Sequence, residues 1–463
     1  MSPPDPDLPL SFRDPAGFVF TREGMLYRQI NQKGREDYEN LMRSGLYDRL
    51  VSDNLLIPHE QVEVPPERPG EAFTVIRPDR VPCISYPYEW SFSMIRDAAL
   101  ATLRIQQTAL QFGMTLKDAS GTNIQFVKGK PVLIDTLSLQ RYTDGEPWYA
   151  YGQFCRHFMA PLALGSFSDI RLVRLLRVHH DGIPLDLARA LLPFRSRFHI
   201  PTLLHIHLHG RWKERYGGAP GQPSRVSMSR TSLEGLVDHL IRAVAGYHWD
   251  PRAQDREAYD VSVTYSENTA GMKRKVVNNF LQLSSPQHVV DLGADVGLYS
   301  RIAARYASLV CALDRNPAAV EENYRQVRAN GEATILPLWI DLTNPTPSTG
   351  WECQERPDLF HRLPCDTVLA LAILHHLAIT NNTPLSLIAH MLAGMCRHLI
   401  IEFIPRDDPA VQELLSRKAG MDIDYDHDLF TSAFTRYFTF RETASLPDSG
   451  RIVYLMERKV MPG

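Results

Sequence analysis

Several classes of function are excluded by what this chain lacks. No apolar run among its 463 residues reaches the length of about 20 that a bilayer-spanning helix needs, so no membrane span is expected. There is no excess of positive charge: 50 Lys and Arg against 53 Asp and Glu leave a formal charge of −3. A protein that draws its affinity from nucleic-acid phosphates is usually basic, so nucleic acid is not the expected partner. Cysteines are scarce and scattered. The six, at 83, 155, 311, 353, 365 and 396, contain no C-x-x-C pair, which argues against structural zinc and against a disulfide framework. Four of them lie in or beside apolar runs, where cysteine behaves as a small core residue. The opening MSPPDPDLPL has neither the basic nor the apolar region of a signal peptide. Residues 1–14 therefore read as a flexible tail, and the cytoplasm as the expected location.

What is present is concentrated at residues 289–300, VVDLGADVGLYS. An apolar run ends in Asp291, glycines follow at 293 and 297, and a helix-compatible segment comes next. That is a strand, a tight turn and a helix start. Glycine permits the turn and a close approach of backbone to ligand, and free N–H groups at a helix start attract an anionic group. The dinucleotide pattern G-x-G-x-x-G would require glycine at 295 and 298, where Asp295 and Leu298 stand, so a nicotinamide dinucleotide is disfavoured. Further apolar runs end at Asp314 (SLVCALD), near Asp341 (ATILPLWIDL), at His375 and His376 (DTVLALAILHHL) and around Glu402 (HLIIEFI). Helical patterns at 317–329, 384–394 and 409–418 separate the runs. Alternating strand and helix signals predict a parallel sheet covered on both faces, and segments near 434–440 and 451–457 are expected to close it as an antiparallel hairpin.

The pattern D-x-G-x-x-x-G resembles motif I of class I S-adenosylmethionine (SAM) dependent methyltransferases, with Asp295 where most members carry a third glycine. The likeness covers about 270–460. It implies a Rossmann-like domain with a seven-stranded, mostly parallel sheet, and SAM as cofactor. It further implies cofactor contacts from Asp291, Gly293, Ala294, Asp295, Gly297, Asp314, Arg315, Asp341 and Leu342. Asp314 is placed to hold ribose hydroxyls. His375 and His376 are candidates for a base that takes a proton from the acceptor, since imidazole titrates near neutrality; Glu402 is a further candidate. In YSENTAGMKRK, just before motif I, Tyr265, Ser266 and Lys273 are candidates to close over the cofactor.

The methyltransferase pattern uses less than half of the length, so another domain must fill the N-terminal part. There GFVF–TREG–MLYRQI predicts a hairpin over 17–30. A helical segment follows at 34–52, short strands at 71–77 and 81–86, and a long amphipathic helix at 91–112. Next, LKDASGTNIQFVKGKPVLIDTLSL sets Asp118, Asn123 and Asp135 around two apolar runs joined by a Lys-Gly turn. The arrangement resembles the catalytic loop and metal-binding Asp of protein-kinase-like and aminoglycoside-phosphotransferase-like folds, where such residues converge on Mg·ATP. It covers about 15–245. Departures are plain: TREG is not a glycine-rich phosphate loop, Arg28 is the nearest candidate for the strand lysine, Leu116 replaces a histidine, and Thr136-Leu137 follows Asp135. An α+β kinase-like domain at 15–245 that recognises substrate or serves structure, followed by the methyltransferase domain at 246–463, is therefore expected. The combination is similar to a bacterial methyltransferase family that includes nodulation-linked proteins of the NoeA type, with a small-molecule or glycan acceptor. Two other readings stay open. One is a bifunctional phosphotransferase–methyltransferase that binds Mg·ATP; the other is a scaffold without activity, which predicts no affinity for SAM.

Two further stretches attract notice. LLHIHLHGRW spaces His205, His207 and His209 evenly, but no Cys, Asp or Glu in the run completes a ligand set, and no metal is expected. Residues 211–230 are basic and rich in Gly, Ser and Pro, as in a surface loop. Neither these features nor any other indicate the oligomeric state.

Overall fold

The computed structural model describes residues 11, 13–208, 227–251, 266–418, 420 and 423–460. Two compact units emerge. One comprises Met1–Asp250 with Ser348–Pro357, the other Pro251–Pro347 with Asp358–Gly463.

The first unit contains a four-stranded antiparallel sheet. Strands β1 (Gly17–Arg22) and β2 (Met25–Asn31) form the expected hairpin. Its two turn residues, Glu23 and Gly24, both have positive φ (51° and 75°), the conformation that matches strand twist in a two-residue loop. The sheet continues through β4 (Ala72–Pro78) to β3 (His59–Gln61), in the order β1-β2-β4-β3. The segment 81–86, expected as a strand, is irregular. Pro82 cannot donate to a ladder. The backbone of Ser85 is instead held by the Gln125 amide, which accepts from its N–H and donates to its carbonyl, both at 2.9 Å. The strand that takes the edge, His59–Gln61, is polar and carries no alternating signal.

The helix expected over 34–52 breaks in two, Arg35–Arg43 and Leu46–Ser52, because Gly45 adopts φ 82° between them. The Phe92–Gln111 helix starts where Ser91 accepts from the Met94 N–H. It buries 14 of its 20 residues and leaves Arg104 and Gln111 exposed on one narrow stripe, so it is amphipathic with a wide apolar face. Strands β5 (Met114–Leu116) and β8 (Leu139–Arg141) pair, as do β6 (Ile124–Val127) and β7 (Lys130–Leu133). Lys128 and Gly129 make the β6–β7 turn with φ 51° and 73°.

Leu203–Leu208 forms a wide helical turn, and its two histidines bond to different neighbours. His205 meets the Tyr151 hydroxyl at 2.7 Å and His239 at 3.0 Å; His207 meets Ser196 at 2.9 Å. Among the described residues, no group of three or more His, Cys, Asp or Glu is placed to hold a metal ion. His209, most of the 211–230 stretch and Tyr265 lie outside the described residues. No described helix is long and apolar enough to cross a membrane.

The second unit is built on seven strands: β9 (His288–Leu292), β10 (Leu309–Asp314), β11 (Ile335–Trp339), β12 (Thr367–Ala370), β13 (His398–Phe403), β14 (Phe438–Ser445) and β15 (Ile452–Arg458). Their order is β11-β10-β9-β12-β13-β15-β14. The first five are parallel, and β15 runs antiparallel to both β13 and β14. Parallel strands buried on both faces read as continuous apolar runs, as these do. Val289, Val310, Leu369 and Ile400 sit fully buried in one cluster. The expected helical segments appear as Pro317–Asn330, Leu385–Met395 and Pro409–Ser416.

Two boundaries differ from expectation. Strand β12 ends at Ala370, so His375 and His376 do not end a strand. Ala372 takes φ 53° and turns the chain out of the sheet, and both histidines fall in the helical turn that follows. Strand β14 starts at Phe438, because 434 and 435 finish the His427–Thr435 helix.

Candidate functional site

The sheet order reverses between β9 and β12: β10 and β11 lie to one side, β13 to the other. In open α/β sheets, ligands bind outside the carboxyl ends of the strands at such a reversal. The loop 291–298 leaves β9 at this point.

Asp291 is the penultimate residue of β9 and is 2% exposed. Ser300, on the Leu298–Ala303 helix, donates to its Oδ2 at 2.6 Å. Burial pushes the Asp291 carboxyl up to about 6, an effect the Ser300 bond only partly offsets. The N–H groups of Gly293 and Ala294 both donate to the Leu313 carbonyl, at 2.9 and 3.0 Å. This clamps the loop against the end of β10. Gly293, Asp295 and Gly297 all have positive φ (71°, 48° and 84°), so the variant position Asp295 adopts the glycine-like backbone without being glycine. Asp295 donates its N–H to Asp314 Oδ2 at 2.8 Å, while Asn316 N–H donates to Oδ1 at 2.8 Å. Burial raises the Asp314 carboxyl, and the two N–H bonds lower it.

Gly297 has no room for a side chain. A Cβ there would lie 2.6 Å from both Arg301 Nη1 and Asn323 Nδ2. At Gly293 a Cβ would press on Ile373 at 3.1 Å. Arg315 holds the next loop by accepting from Trp339 Nε1 through its carbonyl at 2.9 Å. Asp341 caps its own turn, accepting from the Thr343 N–H and hydroxyl at 2.9 and 2.7 Å, and Leu342 lies half-buried beside it. The backbone thus gathers the β9, β10 and β11 loop ends at one edge of the sheet.

His375 lies beyond β12, 1% exposed, and neither ring nitrogen has a hydrogen-bond partner. An imidazole buried without partners is costly. Burial, with nearby His376, Arg451 and Lys273, pushes its pKa down to about 3. It is therefore neutral at physiological pH, and far from the near-neutral value that suits a general base. His376 packs against it with the rings tilted by 38° and 4.2 Å between centroids, and its pKa is also shifted down by burial. Glu402 on β13 is fully buried and accepts from Lys273 Nζ at 2.7 Å. It is thus tied up in an ion pair and is not an available base. Lys273, on the Glu267–Ser284 helix, is 2% exposed and also sits 4.9 Å from the Tyr299 ring centre. Burial lowers its pKa, with Glu402 opposing. Ser266, the other described candidate from this segment, caps that helix by accepting from the Thr269 N–H at 3.1 Å.

Sequence reasoning missed three participants: Ser300, Asn323, whose buried Oδ1 lacks a partner, and Ile373. Asn323 was legible only as a polar residue on the inner face of the 317–330 helix.

In the first unit the convergence is partial. Asn123 Nδ2 donates to Ser138 Oγ at 3.2 Å, and Ser138 donates to Asp135 Oδ2 at 2.6 Å. Asp135 Oδ1 accepts from the Leu137 N–H at 3.2 Å and forms an ion pair with Arg28. Asp118 accepts from the Ser120 N–H at 2.8 Å and joins neither of the other two through a described bond. Burial lowers the Arg28 pKa to about 10, which leaves it charged at neutrality. A magnesium ion on Asp135 would have to displace this guanidinium.

Nodulation protein NoeA from Rhizobium meliloti (strain 1021) is 30% identical over 466 aligned positions, covering 97% of this chain and 95% of its own length. The chain belongs to the NoeA family. No protein-family profile matches it. Solved structures similar to it include the N-methyltransferase NodS from Bradyrhizobium japonicum WM9 in complex with S-adenosyl-L-homocysteine. That structure is 11% identical and covers 43% of this chain and 93% of its own, with a TM-score of 0.32. Magnesium protoporphyrin IX methyltransferase (ChlM) from Synechocystis PCC 6803 with bound SAM is 14% identical and covers 44% and 93%, with a TM-score of 0.30.

Proposed function

We propose that this NoeA-family protein is a SAM-dependent methyltransferase acting on a small-molecule or glycan-type acceptor. Residues 246–463 carry the reaction, and the kinase-like lobe at 15–245 serves substrate recognition or structure. The observation that supports this best is the carboxyl-edge cradle at the sheet reversal. There Asp291, Gly293, Gly297 and Asp314 occupy the positions the motif requires, and buried polar atoms on Asn323 and His375 lack protein partners. Such orphaned atoms fit a ligand-binding edge.

SAM supplies an electrophilic methyl group on a positively charged sulfonium. The protein's task is to place the acceptor's nucleophile in line with that methyl. Asp314, each oxygen of which already accepts one N–H bond, keeps lone pairs for hydroxyl donors such as those of a ribose. Asp291 fixes the loop through Ser300. Gly293 and Gly297 admit the ligand by leaving the space bare. A pKa of about 3 makes His375 a neutral hydrogen-bond partner to bound molecules and a poor proton acceptor. Phosphotransfer is not favoured, since Arg28 occupies Asp135 where magnesium would bind.

Calorimetric titration tests the proposal. SAM is expected to bind the wild type and to bind Asp314→Ala at least tenfold more weakly. Absence of SAM binding to the wild type would leave the scaffold reading standing.

A further inference from the structure

Beside the glycine loop, the second unit carries a groove of about 680 Å3. It is formed by the Glu267–Ser284 and Leu298–Ala303 helices and the turn after the second. Arg274, Lys275, Arg301 and Arg305 line it, together with Leu298 and Ile302, and among the described residues no acidic side chain does. In a chain of net charge −3, four cations around one concavity, of which Arg301 alone is paired to an acid among the described residues, concentrate positive charge locally. Arg301 is fixed in place: its Nε donates to Glu332 at 3.0 Å and its Nη1 to the Val296 carbonyl at 2.7 Å. Arg274, Lys275 and Arg305 are exposed, and Leu298 keeps 47% of its surface in water.

We propose that this groove binds a small phosphorylated molecule with an apolar portion, the phosphates meeting the arginines and the apolar part meeting Leu298 and Ile302. Arginine's planar fork suits phosphate oxygens, and charge-assisted bonds of this kind are the stronger ones. The volume lies within the range of small-molecule sites, about 300–1,000 Å3, which favours a discrete ligand over a bilayer surface or a partner helix. This inference goes beyond methyl transfer and does not depend on it.

The test is calorimetric titration of pyrophosphate into the full-length protein at low salt. Arg274→Gln/Arg305→Gln serves as the variant, and Arg328→Gln/Arg436→Gln, exposed and not among the residues that line the groove, as a charge-matched control. Wild type and control are expected to bind alike, and the groove variant about tenfold more weakly, since two exposed cations are removed. Binding should also weaken as salt rises. All three proteins should bind SAM equally, because none of the four positions belongs to the cofactor cradle. No binding of pyrophosphate to the wild type overturns the proposal. So does an equal loss in variant and control. Association with phosphatidylglycerol vesicles without binding of pyrophosphate would likewise overturn it, assigning the cations to a membrane surface.

Discussion

Each unit carries partly or fully buried aspartates at chain turns, and those of the two units are satisfied differently. Asp135 has its oxygens taken by Arg28, Ser138 and the Leu137 N–H. Asp314 receives two backbone N–H bonds, and Asp291 is met by Ser300 through its hydroxyl and its backbone N–H. A carboxylate has about four acceptor positions. The first unit uses them internally and with a cation, which builds structure. The second leaves them open beside glycines that clear space, which leaves capacity for a ligand. Residue type alone does not separate these outcomes; neighbouring donors do.

The largest effect should come from the fully buried ion pair of the second unit, Lys273 with Glu402. Lys273→Met removes the cation that meets Glu402 at 2.7 Å in the core and should cost about 3–5 kcal/mol, read as a drop in the urea midpoint. The double variant Lys273→Met/Glu402→Met should recover most of that loss. If it does not, the pair's role is not one of mutual neutralisation.

Next in size is the linkage of Asp291. Its folded pKa, about 6, lies above the ordinary carboxyl value of 3.8, so the folded state holds a proton that the unfolded state releases. The contribution is fully present below about pH 4 and is lost as pH rises through 6. A carboxyl raised this far corresponds to about 3 kcal/mol. Asp291→Asn should therefore flatten the fall in stability between pH 4 and 6 and be more stable than wild type at pH 7. Thermal melts across that range check this, and a steeper slope in the variant would refute it.

At the cradle, Gly297→Val should reduce SAM affinity more than Gly293→Ala, because a Cβ at 297 comes within 2.4 Å of Asn323 and 2.6 Å of Arg301, while one at 293 approaches the Ile373 side chain no closer than 3.1 Å. Both sit at positive φ, so strain adds at each site. Isothermal titration and melting curves together separate lost binding from lost folding.

The smallest expected signal sharpens the comparison from the other side. Mg·ATP titrated into wild type and Asp135→Ala should give no binding heat in either. Heat in the wild type that vanishes in the variant would show that Arg28 yields to magnesium, and the first unit would be a nucleotide site after all.

The second unit was legible from sequence in most of its parts. Its five parallel strands are buried on both faces, so each is a continuous apolar run, and its helices alternate with them. The glycine loop was readable because positive φ and tight approach leave few residue choices. The first unit was less legible: the polar edge strand His59–Gln61 gave no period, and the extended-looking 81–86 is held by a side-chain amide from far along the chain.

The sequence by itself determined the alternation of strands and helices in the second unit and the glycine turn that follows Asp291. These follow from local chemistry: apolar periodicity, turn residues and spacing along one strand–loop–helix. Tertiary structure alone decided that Glu402 pairs with Lys273, 129 positions away, that Arg28 claims Asp135, and that His375 is buried without a partner. The physical reason is that a titratable group's role depends on its desolvation and on which donors and charges surround it, and the fold brings those from distant parts of the chain.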